Sequence, residues 1–276
     1  MAKARRRKVP VTTDSSGRGS SSKPHSSRTV IRKFHALSKQ EAQLKSLPES
    51  PGNASRLAEI SHEIAELGGL SAYQRMSTIG QGKDRGGGSE KVLISWLKER
   101  LMADRHGKDK LKLLEVGALK PDNYAPCGSW LDVLPIDLRS NHPSITEQDY
   151  LTMDIDQHAE YWDIISLSLV VNFVPDPRDR GRMLTRAHEM LRQDGLLFLV
   201  LPLPCVTNSR YLTFEHLKTL MEFIGFEQIR DRWKEGGKMA YWLYKKTATI
   251  PHNADGGWDC KNVLRDGNRN NFCILL

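Results

Sequence analysis

The sequence predicts an α/β protein built on a mostly parallel, seven-stranded sheet that ends in an antiparallel hairpin and is preceded by helices. Three observations predict it. From residue 111 onward, short apolar runs alternate with helical patterns, the order required by a parallel sheet covered on both faces. The last two apolar runs, 226–232 and 239–245, are joined by a short polar link containing Gly236-Gly237, and only antiparallel pairing closes so short a link. Upstream of residue 105 the periodicity is helical.

Residues 1–30 are rich in Ser, Gly, Arg and Lys and read as a disordered basic tail. Residues 1–40 hold five Lys and six Arg against Asp14 alone, a net +10, while the whole chain carries +8, so residues 41–276 sum to −2. The run Lys3, Arg5, Arg6, Arg7, Lys8 reads as a nuclear localisation signal or an RNA-binding arm, against the alternative of a solvated charge cluster.

A helical extension is expected over 31–104. Its first helix, 36–47, is stopped by PESPGN (48–53). Asn53 is placed to cap a second helix with Leu57, Ile60, Ile64 and Leu67 on one face, ended by Gly68-Gly69. The stretch YQRMSTIGQGKDRGGG (73–88) is polar and glycine-rich, and Ser89 can cap the next helix, which turns Val92, Leu93, Trp96, Leu97 and Leu101 inward.

The main domain, 105–276, supplies candidate strands at 111–116, 132–138, 144–149, 162–170 and 196–201 before the hairpin. Helices are expected at 178–191 and 214–224, the latter capped by Thr213 and ended by Gly225. Cys127, Cys205, Cys260 and Cys273 show no CxxC spacing, so neither a metal site nor a disulfide framework is indicated. There is no apolar run of membrane-spanning length and no hydrophobic signal core. The terminal Cys273-Ile274-Leu275-Leu276 is formally a prenylation box, but a final apolar segment packed on the domain explains it more simply.

Ligands of open parallel sheets bind beyond the carboxyl ends of the strands. The first strand ends Glu115-Val116-Gly117, the second at Asp137, the third at Asp149-Tyr150. Gly117 permits a sharp turn and a close ligand approach. Asp137 can accept from both hydroxyls of a ribose, Asp149 from an adenine amino group, and Tyr150 can cover the base. Each alone has a bland alternative as turn, cap, surface acid or packing residue. Their order, glycine, acid, acid at successive strand ends, favours one nucleoside-bearing ligand. A dinucleotide requires GxGxxG, whereas Gly117 is followed by Ala118-Leu119-Lys120-Pro121. S-adenosyl-L-methionine has no phosphate and does not require that cradle.

The stretch YWDIISLSLVVNFVPDPRDRGRMLTRAHEMLRQDGLLFLVLP (161–202) resembles the fourth strand, helix and fifth strand of Rossmann-like class I methyltransferases. GGLSAYQRMSTIGQGKDRGGGSEKVLISWL (68–97) and LPLPCVTNSRYLTFEHLKTLMEFIGF (201–226) resemble the fungal 25S rRNA adenine-N1 methyltransferase family, a likeness that spans about residues 55–275. The resemblance implies S-adenosyl-L-methionine as cofactor, Gly117 and Asp137 among its contacts, and 25S rRNA or a pre-ribosomal particle as partner. Asn172, Asp176 and Tyr211 are the expected acceptor-side residues, with Phe173, Asn208 and Arg210 beside them. The basic tail then implies an import receptor and a nuclear or nucleolar location, with neither membrane nor metal involved. The alternative is a regulatory S-adenosylmethionine sensor, a function found among animal relatives of the family.

Overall fold

The computed structural model describes residues 27–45, 47–48, 50–80, 88–101, 109–140, 142–247 and 257–276. The basic run at residues 3–8 lies outside them, as do residues 81–87 of the glycine-rich stretch. The elements are α1 (Ser27–Lys45), α2 (Pro51–Glu66), α3 (Gly69–Gly80), α4 (Glu90–Leu101), β1 (Leu111–Val116), β2 (Leu131–Asp137), β3 (Thr146–Glu147), α5 (Ile155–His158), β4 (Trp162–Ser168), α6 (Pro177–Met190), β5 (Leu191–Pro202), α7 (Pro204–Thr207), α8 (Phe214–Ile224), β6 (Phe226–Arg232) and β7 (Met239–Lys246).

The seven strands form one sheet in the order β3-β2-β1-β4-β5-β7-β6. β7 pairs antiparallel with both β5 and β6, and the other pairings are parallel. Alternating side chains build the two faces. Leu114, Ile165, Leu197 and Leu199 pack against α6 and α8 through Met183, Leu184, Leu217 and Met221. Leu113, Ile164, Phe198 and Val200 pack against α4 through Leu93, Trp96 and Leu97. α4 is therefore a layer of the sheet rather than part of the upstream extension, although its sequence lies before residue 105.

The N-terminal elements depart from expectation in three places. α1 starts at Ser27 rather than 36, with Val30 only 7% exposed, so its first turn reaches into the stretch read as tail. α2 is capped by Ser50, whose side chain accepts from the Asn53 amide at 3.2 Å, and Pro51 occupies its first turn. Proline's fixed φ suits that position, so Pro51 opens the helix and Asn53 falls inside it, donating from Nδ2 to the Pro48 carbonyl at 2.9 Å. Gly68 and Gly69 do separate two helices, but α3 follows directly where a polar link was expected. Thr213 caps α8 by accepting from the His216 amide at 3.0 Å, and Gly225 ends it at φ 105°, both as the sequence predicts.

The C-terminal segment folds back over the loops that follow β4 and β5. Arg180 of α6, 2% exposed, donates from Nε to the Val174 carbonyl (2.8 Å), from Nη2 to Pro175 (3.0 Å) and from Nη1 to Cys273 (2.6 Å). Arg265 donates to the carbonyls of Ser209, Thr207, Val206 and Leu212. Gly181 is needed for the segment to pass, since a Cβ there would lie 1.8 Å from the Leu275 carbonyl oxygen. Cys273 is 2% exposed within this packing, which accords with a packed apolar terminus and not with a presented prenylation box.

Candidate active site

β1 and β2 deliver Gly117 and Asp137 to the same edge of the sheet, where the amides of Gly117 and Ala118 both donate to the Ile136 carbonyl, at 2.8 and 2.9 Å. Gly117 has φ 78°, and a Cβ there would meet Val170 Cγ2 at 2.7 Å. Glycine is required by both backbone and space, and the β1 turn lies directly against the loop that follows β4.

Asp137 is half-buried. Its Oδ1 accepts from the Arg139 amide (3.0 Å) and from Gln74 Nε2 (3.0 Å), while Gln74 Nε2 also reaches the Arg139 carbonyl (2.6 Å). The two bonds to the carboxylate converge on Oδ1, and no hydrogen bond reaches Oδ2 among the described residues. Burial raises the Asp137 pKa above the usual carboxylate value, and the two donors oppose it. Gln74 comes from α3, which sequence reasoning did not connect with the site at all. Leu138, the next residue, is 62% exposed, an apolar side chain beside Asp137 that sequence reasoning also did not single out.

Beside Gly117 lies a polar pocket whose lining includes Glu115, Asn123, Ser168 and, from the start of α4, Ser89 and Glu90. Glu115 is buried and accepts from Asn123 Nδ2 at 2.7 Å. Burial pushes its pKa up to about 7, with the Asn123 bond opposing and the nearby Glu90 carboxylate adding to the rise. Ser89 Oγ lies 2.5 Å from Ser168 Oγ, so its side chain ties α4 to the end of β4. Two carboxylates in one pocket beside the glycine turn suit a cationic group such as an ammonium.

The third strand end differs from expectation. β3 stops at Glu147, and Asp149 caps the short 3-10 turn that follows, its Oδ1 accepting from the Leu151 amide at 2.9 Å. Tyr150 turns inward, 3% exposed, and donates its hydroxyl to the Met183 carbonyl at 3.3 Å. It belongs to the core and does not cover a base; burial of an aromatic body with its hydroxyl satisfied outweighs exposure at the edge.

On the acceptor side, Asn172 sits two residues beyond Val170, and its Oδ1 is buried without a hydrogen-bond partner among the described residues. The ring of Phe173 makes an edge contact with Tyr73 of α3 (centroids 5.1 Å), and Tyr73 stacks on Phe34 of α1 (4.9 Å), so the N-terminal helices press on this loop. Asp176 is an α6 cap, accepting from the Arg178 amide at 2.8 Å, and a helix terminus explains it. Arg210 is occupied by Asn271 Oδ1 (2.8 Å) and the Gly267 carbonyl (3.1 Å), which makes it a fastener for the C-terminal segment rather than an open phosphate contact. Asn208 is exposed on the same loop, its carbonyl accepting from the Asn270 amide at 2.9 Å, and Tyr211 is half-buried there with its amide donating to Ser209 Oγ at 3.0 Å. The structure thus sets Gly117 and Asp137 at adjacent strand ends and Val170, two residues before Asn172, against Gly117; it withdraws Tyr150 and assigns Asp149, Asp176 and Arg210 local structural bonds.

Comparison with known proteins agrees with this architecture. A carbon methyltransferase structure, CurJ, superposes with a TM-score of 0.50 at 12% identity, covering 80% of this chain and 70% of that one, which shows a shared fold. A Schizosaccharomyces pombe protein named 25S rRNA adenine-N(1) methyltransferase is 35% identical over 257 residues, covering 89% of this chain and 91% of its own. A Saccharomyces cerevisiae protein named 25S rRNA (adenine(2142)-N(1))-methyltransferase is 32% identical over 249 residues, covering 89% of this chain and 71% of its own. A Xenopus tropicalis protein named S-adenosylmethionine sensor upstream of mTORC1 is more distant, 23% identical over 168 residues and covering 52% of this chain. Residues 58–274 match the sequence profile of the family described as 25S rRNA (adenine(2142)-N(1))-methyltransferase, Bmt2, and the chain belongs to that family.

Proposed function

We propose that this protein transfers a methyl group from S-adenosyl-L-methionine to N1 of an adenine in 25S rRNA, the activity named for its relatives. The bound donor supplies a methyl group activated on a sulfonium. Asp137 would hold its ribose, Leu138 and Asp149 its adenine, and Glu115 with Glu90 the ammonium of its methionine end. Gly117 lets the β1 turn pass against Val170, where a Cβ would clash.

The observation that carries the reading is the buried, unpartnered Oδ1 of Asn172 on the loop that touches the Gly117 turn. A buried polar atom without a partner is costly, and such an atom on the loop beside the Gly117 turn suits a ligand donor. The exocyclic amino group of adenine, adjacent to N1, is such a donor. N1 carries an in-plane lone pair, so no base has to remove a proton before attack, and the chain contributes positioning and exclusion of water. As charge grows on the ring, the Asn172 oxygen stabilises the increasingly acidic amino group. N1 is hidden in a base pair, so the target adenine is presented unpaired or flipped. The basic residues at positions 3–8 serve delivery to the nucleolus through an import receptor, a role read from their charge.

The test is methyl transfer by the full chain to deproteinised 25S rRNA and to pre-ribosomal particles, with 1-methyladenine read as a reverse-transcription stop. Asn172→Ala is expected to keep donor affinity and lose at least tenfold in methyl transfer. Donor binding with no transfer to either substrate would overturn the enzyme reading in favour of a regulatory sensor.

A further inference from the structure

The link between β6 and β7 lies at the same edge of the sheet as the cleft. Met239 at the start of β7 pairs with Pro202 at the end of β5, and the Leu203 amide donates to the Lys238 carbonyl at 2.8 Å. The hairpin turn therefore stands beside the start of the acceptor-side loop. Directly after β6, Trp233 is 46% exposed, although it lies against Phe214, the first residue of α8, with ring centroids 4.9 Å apart and planes 30° from parallel. Phe214 is in turn 6.0 Å from Trp242 of β7, so the exposed indole rests on an aromatic base anchored in the core. Arg232, Lys234 and Lys238 are exposed around it; the acids nearby are Glu235, also exposed, and Asp231, whose Oδ1 is 3.4 Å from Gln228 Nε2.

We propose that this hairpin is a binding site for single-stranded RNA flanking the target adenine, with Trp233 stacking on a neighbouring base and Arg232, Lys234 and Lys238 meeting phosphates. The inference rests on the RNA methyltransferase reading and adds the element that holds the substrate. Adjacent strands are ~4.8 Å apart, so the far edge of the sheet at β6 lies roughly 14 Å from β4, a reach of a few nucleotides along a strand whose target base enters over β4 and β5. An indole fixed on one face offers a flat stacking surface to any base, and stacking carries no sequence requirement. Cations around it add the salt-dependent phosphate attraction. Arg210 on the loop after β5 is engaged by Asn271 and the Gly267 carbonyl, whereas Arg232, Lys234 and Lys238 of the hairpin are exposed.

The test measures binding of the full chain, with S-adenosylhomocysteine present, to fluorescein-labelled single-stranded RNA carrying the 25S target sequence, at two salt concentrations. Trp233→Ala is expected to weaken binding about fivefold or more, Trp233→Phe to recover most of it, and the paired change Lys234→Glu with Lys238→Glu to flatten the salt dependence. Donor affinity and melting temperature should not move. Wild-type RNA affinity in Trp233→Ala would overturn the hairpin proposal alone. Loss of donor affinity or several degrees of melting temperature would make Trp233 a packing residue and overturn it too. A wild-type chain that binds no RNA and methylates none would remove both this site and the enzyme reading, and RNA affinity unchanged with loss of a protein ligand would reassign the hairpin to protein contact.

Discussion

Gln74 on α3 donates from Nε2 to Asp137 Oδ1 at 3.0 Å, joining residues 63 apart in sequence across the edge of the sheet. One carboxylate is thus shared between the β2 strand end, where the donor is proposed to bind, and the N-terminal helices. Asp137→Ala is expected to lower S-adenosyl-L-methionine affinity at least tenfold, as charge-assisted bonds of on the order of 1.5–3 kcal/mol each are lost. It should also lower the urea midpoint by ~1 kcal/mol equivalent, because the Gln74 and Arg139 donors lose their acceptor. Gln74→Ala should leave more of the donor affinity but speed amide exchange in α3. Equal loss of affinity in the two variants would show that the helix contact, not the ribose, sets the effect.

Glu115 gives a pH signature. Its folded pKa, about 7, stands above its ordinary 4.5 because of burial. The folded state then holds the proton more tightly than the unfolded chain, so this group's contribution to stability is complete below about pH 4.5 and is lost as pH rises through about 7. Glu115→Gln should remove that slope and be the more stable protein at pH 8, by on the order of 3 kcal/mol at most. Donor affinity should rise in the wild type between about pH 5.5 and 7.5, since the carboxylate is the form that receives an ammonium, and should be flat in the glutamine variant. Calorimetry across that range checks both.

Gly117→Ala is expected to lose donor binding and to destabilise the fold by about 1–3 kcal/mol, since it adds backbone strain at φ 78° to a clash with Val170. Adding Val170→Ala should recover part of the stability by opening the space, but not the strain. Full recovery in the double variant would show that space alone imposed the glycine.

Arg180→Ala should cost several kcal/mol of stability because three carbonyls, that of Cys273 buried and those of Val174 and Pro175 part-buried, lose their donor together. The same change should release the C-terminal segment, so that Cys273 becomes alkylated by iodoacetamide under native conditions. Peptide mapping of labelled cysteines distinguishes it from Cys260, which is exposed already.

Removing residues 1–30 should lower the melting temperature relative to removing residues 1–26, because the longer deletion cuts the first turn of α1 and takes away buried Val30. Thermal scans of the two truncations decide it.

The sheet was legible because its signals are local. Apolar runs at β1, β4 and β5 alternate with helical periodicity, Thr213 and Gly225 bound α8 by their own backbone chemistry, and the short link at Gly236-Gly237 leaves only a hairpin. Gly117 and Asp137 were legible for the same reason, as both stand where a strand ends. Boundaries were less so: Pro51 starts a helix as readily as it stops one, and context chose the former.

The sequence by itself determined the strand series, the terminal hairpin and the glycine and acid at the first two strand ends, all properties of neighbours along the chain. Tertiary structure alone decided which way side chains face and which distant groups meet. It turned Tyr150 into the core, placed Gln74 on Asp137, set Ser89 and Glu90 beside Glu115, engaged Arg210 with Asn271, and left Asn172 Oδ1 without a partner among the described residues. The physical reason is that burial and hydrogen-bond satisfaction are set by contacts between segments far apart in sequence, and the same residue type serves as ligand contact, cap or core according to those contacts.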